Sequence, residues 1–237
     1  MIDTENARTK NVRAFLVQMV DFFTFLCYTL IRKSVSVSVF GEVYKMKLIW
    51  KGKMKPENAF VYLDLPENAK PLLDTKSTWS MYLLIIPILV IAYGAIQIRL
   101  PNVEGIMFTR PALLAGIGLA LVFLFVHELI HAIFCPKGTT LYVYYTSAGI
   151  SLIPTCKLTK GRYMLMAIMP TIMLGIVPLV IWMLFPGMGA VASSIFFTFS
   201  IGSLSMCIGD IYNVILAAIK MPKGAVLVTS EMNCYFF

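Results

Sequence analysis

Residues 112–135 read ALLAGIGLALVFLFVHELIHAIFC, an apolar run of 24 residues interrupted only near its end, by His127-Glu128-Leu129-Ile130-His131. About 20 apolar residues of helix cross the hydrocarbon core of a bilayer, so the run predicts a membrane span. A titratable side chain at that depth costs about 2.5–3.5 kcal/mol on insertion scales. The two histidines here are the only ones in the chain. Two histidines and a glutamate in one span therefore mark function rather than packing.

Working outward, the composition is that of a membrane protein. Hydrophobic residues make up 59% and charged residues 14%, where a soluble domain has about 25% charged residues. Three more stretches are long and apolar enough to cross, at 79–98, 163–185 and 191–219. Glycine and serine are frequent in the last, which predicts a tilted or locally unwound span. The expected fold is an all-α polytopic bundle of about four transmembrane helices with a short hairpin-like β segment. Residues 12–31 place Asn11, Gln18, Asp21, Thr29 and Arg32 along one stripe, which suits an amphipathic helix at the interface. A fifth span is the alternative reading of the same stretch. Ser34–Val39 alternates serine and valine as a strand does.

Three segments follow: an amino-terminal extension over 1–45, a basic cytosolic segment over 46–78, and a membrane domain over 79–237. Met46 stands where a shorter chain would start. The acidic amino terminus, with no small-residue cleavage site, predicts no signal peptide.

The net charge of +8 is distributed as membrane topology requires. Lysine and arginine number 12 in residues 1–78, four between the second and third spans and two after the fourth, while the opposite side holds only Arg99 and Arg110. Under the positive-inside rule this places both termini of a multi-pass cell-membrane protein in the cytosol. The basic amino-terminal part is expected to attract anionic lipid and not nucleic acid. The five cysteines, at 27, 135, 156, 207 and 234, form no C-x-x-C pair, so free thiols are expected. No oligomeric state is legible.

The chemistry follows from spacing. Helical positions i and i+4 share a face, so His127 and His131 can converge on one metal ion. Glu128 lies about 100° around the axis, placed to reach a water rather than to ligate with them. This H-E-x-x-H arrangement suits zinc with a glutamate general base. A catalytic zinc takes three protein ligands and keeps an open position. With both histidines used, elimination among acidic residues inside the four spans leaves Asp210, with Cys207 one turn earlier as the rival. The histidines lie four to eight residues before the end of their span, about 6–12 Å deep, and Asp210 nine before Ile219, about 14 Å. The two depths match. Asn213, one turn later, is placed to orient Asp210 or a substrate carbonyl, or to pack polar against a neighbouring helix. Ser200, Gly202, Ser203, Ser205 and Gly209 allow close helix approach. Pro170 and Pro178 should bend the third span and free backbone carbonyls.

Thr139–Pro154 is β-prone around Leu141–Tyr145, with a turn at Thr146–Gly149 and a return over Ile150–Ile153. Beginning close to His131, it offers an edge to an extended substrate or serves as a tyrosine-anchored interfacial hairpin.

These features resemble the site-2-protease-type intramembrane metalloproteases and, more closely, the bacterial family of polytopic membrane proteins described as putative zincin peptidases. The resemblance rests on HELIH within a span, the β-like segment after it, Lys-Gly-Arg-Tyr at 160–163 entering a proline-containing span, and Gly209-Asp210 in the last span. It covers most of 46–237. It implies one zinc ion held by His127, His131 and Asp210, with Glu128 as catalytic acid and base. Asp210 is followed by Ile211, not by the glycine of the Leu-Asp-Gly motif of better-studied site-2 proteases. The expected activity is hydrolysis of peptide bonds in membrane or membrane-proximal proteins near the cytosolic face. A membrane metal transporter and a catalytically silent metal-binding scaffold are the alternatives. A transporter should place polar groups at several depths in several spans, and the first and third spans carry almost none.

Overall fold

The computed structural model describes residues 35–39, 42–73, 79–103, 105, 107–146, 149–231 and 233–237. The amphipathic segment expected at 12–31 lies outside them. Helix predominates. Trp79–Asn102, Arg110–Ile133 and Lys160–Leu184 are each long and apolar enough to cross a membrane, and Ala190–Met206 with Ile208–Lys220, bent by 47°, would make a fourth if taken as one span. The helices are α1 (Trp79–Tyr82), α2 (Ile85–Arg99), α3 (Arg110–Val122), α4 (Leu124–Ile133), α5 (Lys160–Pro170), α6 (Val177–Leu184), α7 (Ala190–Met206) and α8 (Ile208–Lys220). Their outward faces are apolar, with Leu89, Val90, Leu114, Leu121 and Val180 exposed.

The strand content exceeds the single hairpin expected of an all-α bundle. The strands are β1 (Val35–Val39), β2 (Glu42–Lys53), β3 (Lys70–Pro71), β4 (Thr140–Thr146), β5 (Gly149–Pro154), β6 (Leu158–Thr159), β7 (Val226–Ser230) and β8 (Asn233–Phe236). They form two four-stranded sheets, ordered β1-β2-β4-β5 and β3-β8-β7-β6. The expected hairpin is β4–β5, with Leu141 opposite Pro154 and Thr146 opposite Gly149. Its β4 side is covered by β2, which pairs in parallel from Lys47 opposite Thr140 to Lys53 opposite Tyr145. Parallel pairing between segments so distant in sequence leaves no local signal, so composition alone could not reveal it. β2 also runs across the 45/46 boundary drawn from the sequence. Every strand lies in a connection at the same end of the helices, before α1, between α4 and α5, or after α8. Among the described residues, only loops and one short 3-10 turn lie at the other end.

Two contacts decide how the bundle packs. Ala112, Gly116 and Ala120 are buried on one face of α3. A Cβ on Gly116 would lie 2.7 Å from the Ile195 carbonyl oxygen and against Thr198 Oγ1 of α7. Thr198 Oγ1 donates across the contact to Leu113 O, at 3.0 Å. Small residues thus let two apolar helices approach closely, as membrane packing favours. At the far end, buried Arg99 donates through Nη1 to Trp182 O and through Nη2 to Phe185 O at 3.1 Å. These carbonyls end the third long helix and lack intrahelical donors.

The break between α7 and α8 falls at Cys207. Ser205 Oγ bonds back to Ile201 O at 2.9 Å and Ser200 Oγ to Phe196 O at 2.6 Å. Such back-bonding competes with the helical ladder and bends helices. The bend turns the start of α8 toward α4.

Candidate metal centre

The first turns of α8 carry Asp210, and α4 carries His127 and His131. The structure brings all three together. His127 Nε2 lies 2.9 Å and His131 Nε2 3.4 Å from Asp210 Oδ2, and the two Nε2 atoms are 3.0 Å apart. Three donor atoms on a tetrahedral zinc, at bond lengths of about 2.0–2.2 Å, stand roughly 3.3 Å from one another. The observed triangle is close to that size. Its donors, two imidazoles and a carboxylate, are of the kind zinc accepts.

Backbone and side chains around the triangle orient it. His131 Nδ1 is 2.9 Å from Met166 O. In the neutral ring that makes Nδ1 the donor and leaves a lone pair on Nε2, facing the other two groups. The Met166 carbonyl is free to accept because Pro170, one turn on, has no N–H to give it. The freed carbonyl expected from the proline thus has an identified partner. A π-helical turn, Thr171–Ile176, follows immediately. Cys207 Sγ lies 3.5 Å from His127 Nδ1. That is the opposite side of the ring from Asp210 and His131, so the thiol does not share their triangle, although it forms a second close group with His127 and Asp210.

Glu128 adjoins the triangle, with a carboxylate oxygen within 4.8 Å of ligand nitrogens of both histidines, but it is held separately. Its Oε2 accepts a hydrogen bond from the Leu152 N–H of β5, at 2.9 Å. That N–H points away from β4, so the outer edge of β5 faces the glutamate. The cluster opens into a cavity of about 320 Å³, lined by Glu128, His131, Asp210 and Asn213 on the helices and reaching Leu152 of β5 and Thr229 of β7. The cavity therefore reaches from His131 and Asp210 to strands of both sheets.

Two residues whose roles the sequence did not reveal hold the helix ends that carry the cluster. Lys160 Nζ donates to Ala218 O at 2.9 Å and Met221 O at 2.6 Å, at the end of α8. Arg162 donates from Nε to Phe134 O and from Nη2 to Cys135 O, each at 3.1 Å, at the end of α4. One short basic run thus caps both helices, where cations also oppose the dipole. The run Lys-Gly-Arg was visible, but which carbonyls it meets was not. Pro170 marked a freed carbonyl but not its partner, and the Leu152 contact is made by a backbone N–H, which carries no sequence signal.

With this geometry in place, comparison with known proteins adds one finding. The family model described as "Putative zincin peptidase" matches residues 120–226, from the end of α3 into β7. That stretch contains all the cluster residues and supports a zincin-like metallopeptidase. No curated protein and no solved structure matches the chain.

Proposed function

We propose that the protein is a multi-pass membrane zinc endopeptidase, both termini cytosolic, that cuts membrane or membrane-proximal polypeptides near the cytosolic face. The observation that carries the reading is the convergence of His127 Nε2, His131 Nε2 and Asp210 Oδ2 beside Glu128, at the floor of a cavity. His127, His131 and Asp210 hold one zinc ion. Bound there, zinc supplies a Lewis acid that polarises a carbonyl and lowers the pKa of water toward about 7. Glu128 takes the proton from the attacking water and returns it to the leaving amine nitrogen. Hydrogen bonding from Leu152 N–H holds the carboxylate on the cavity side of α4. Met166 O fixes the tautomer of His131, and Cys207 sits behind His127. The outer edge of β5 offers main-chain groups to an extended peptide, beside the glutamate that would act on it.

The test is cleavage of candidate membrane peptides by the purified protein in proteoliposomes, comparing wild type with Glu128→Gln and Glu128→Ala. Cleavage by wild type alone is expected, with zinc retained in all three. Equal cleavage by the three proteins would end the enzyme reading.

A further inference from the structure

Among the described residues, three buried side-chain polar atoms have no hydrogen-bond partner: Arg99 Nε, Thr171 Oγ1 and Asn213 Oδ1. Of these residues only Asn213 lines the cavity over the candidate metal centre. Asn213 follows Asp210 by three residues on α8, which puts it about 60° around the axis and about 4.5 Å further toward the end that carries the sheets. Its neighbour Tyr212 is satisfied, its hydroxyl lying 2.7 Å from Ser80 Oγ of α1. The helix thus pairs a polar group it uses for packing and leaves Asn213 Oδ1 without a donor beside the site. Burying a carbonyl oxygen without a donor is costly, and because the side chain lines the cavity, turning its amide group brings that oxygen to a donor offered there. A peptide in extended form offers an N–H at every second position along each edge. β5 lines the same cavity, and its outer edge, where Glu128 already takes the Leu152 N–H, offers carbonyls to the other side of the same strand.

We infer that Asn213 binds the substrate main chain, its Oδ1 accepting a hydrogen bond from a backbone N–H of an extended peptide lying between α8 and β5. This rests on the peptidase reading and deepens it. The residue binds and aligns the peptide; it takes no part in ligating metal or moving protons. A satisfied Asn213 would also fix the height of the peptide over the three converging donors, because its position on α8 is rigidly tied to that of Asp210.

The experiment measures peptide binding directly, in zinc-loaded Glu128→Gln protein in proteoliposomes so that nothing is cut. The probe is a dansylated nonapeptide of alternating alanine and leucine, followed by fluorescence, together with versions N-methylated at single positions. Asn213→Leu, which keeps the branched shape, and Asn213→Ala should each weaken binding by about five- to tenfold, the size of one hydrogen bond. Zinc content should not change. One N-methylated peptide should lose a similar factor on the parent protein and nothing further on Asn213→Leu, the non-additivity expected of a shared contact. Equal binding by parent and both variants overturns the inference while leaving the peptidase reading intact. Loss of zinc from both variants overturns it too, since Asn213 would then serve the metal centre. An effect on cleavage rate with unchanged binding overturns it in favour of a residue that holds water. Absence of peptide binding to the parent protein, with no cleavage by wild type, refutes the peptidase reading itself.

Discussion

Gly116→Ala should loosen the candidate metal centre from some 16 Å away. Gly116 precedes His127 by 11 residues and Thr198 precedes Asp210 by 12, arms of about 16 and 18 Å at 1.5 Å per residue. The α3–α7 contact is therefore the hinge from which both halves of the site extend. The new Cβ would stand 2.7 Å from Ile195 O, whereas ordinary contact begins at 3.4 Å. The helices must part by at least that difference, about 0.7 Å, with Thr198 Oγ1 also displaced, and overpacking of this kind costs about 1–3 kcal/mol. For a chain of this size each kcal/mol lowers the melting temperature by about 2–4 °C. A rigid shift of 0.7 Å also exceeds the roughly 0.2 Å tolerance of a metal–ligand distance. Gly118→Ala is the control, because its Cβ meets nothing within 4 Å and alanine favours helix by up to about 1 kcal/mol. Thermal unfolding in detergent and zinc content under chelator challenge report the two effects. Gly116→Ala should melt several degrees lower and give up zinc more readily, with Gly118→Ala unchanged or better. Equal melting and equal zinc retention by the two variants would refute the reasoning.

Other outcomes follow from the site itself. His127→Ala or Asp210→Ala should abolish zinc retention in elemental analysis, while Cys207→Ala, altering only what lies behind His127, should weaken it by about 10–100-fold. Loss as complete for Cys207→Ala as for Asp210→Ala would make the thiol a ligand. Pro170→Ala returns an N–H that competes with His131 for Met166 O, so zinc affinity should fall by about tenfold even as the helix gains stability. Unchanged affinity in chelator titration would show that the carbonyl does not orient the ring. Burial pushes the Cys234 thiol above its ordinary value. Since the thiolate is the reactive form, alkylation of Cys234 should be slow at pH 8 and rise to half its maximum only above about 8.5. A pH profile matching a free cysteine would contradict the burial of this side chain.

Much of this molecule was legible as pattern. Long apolar runs announce helices because a bilayer-length helix must be apolar at nearly every position, so no partner need be known to read them. The i, i+4 histidines were legible for the same local reason, since helix geometry alone puts them on one face. Asp210 could be singled out because few acids fall within apolar runs. Cys207 could not be separated from Asp210 by spacing, as both lie on the same stretch of helix. Only the 47° break at Cys207 itself and the ring orientation of His127 place the thiol on one nitrogen and the carboxylate on the other.

The amino-acid order by itself determined the apolar helices, the pair of histidines, the glutamate beside them and the hairpin after them, because each depends on residues within a turn or two. Tertiary structure decided the rest. It set β2 beside β4, brought Asp210 of α8 to the histidines of α4, pointed Leu152 N–H at Glu128 and used Lys160 and Arg162 to tie down the helices that carry the cluster. Those contacts join segments tens of residues apart, several through backbone atoms common to every residue. Such atoms have no identity for a sequence to display, so only the path of the chain through space can reveal which of them meet.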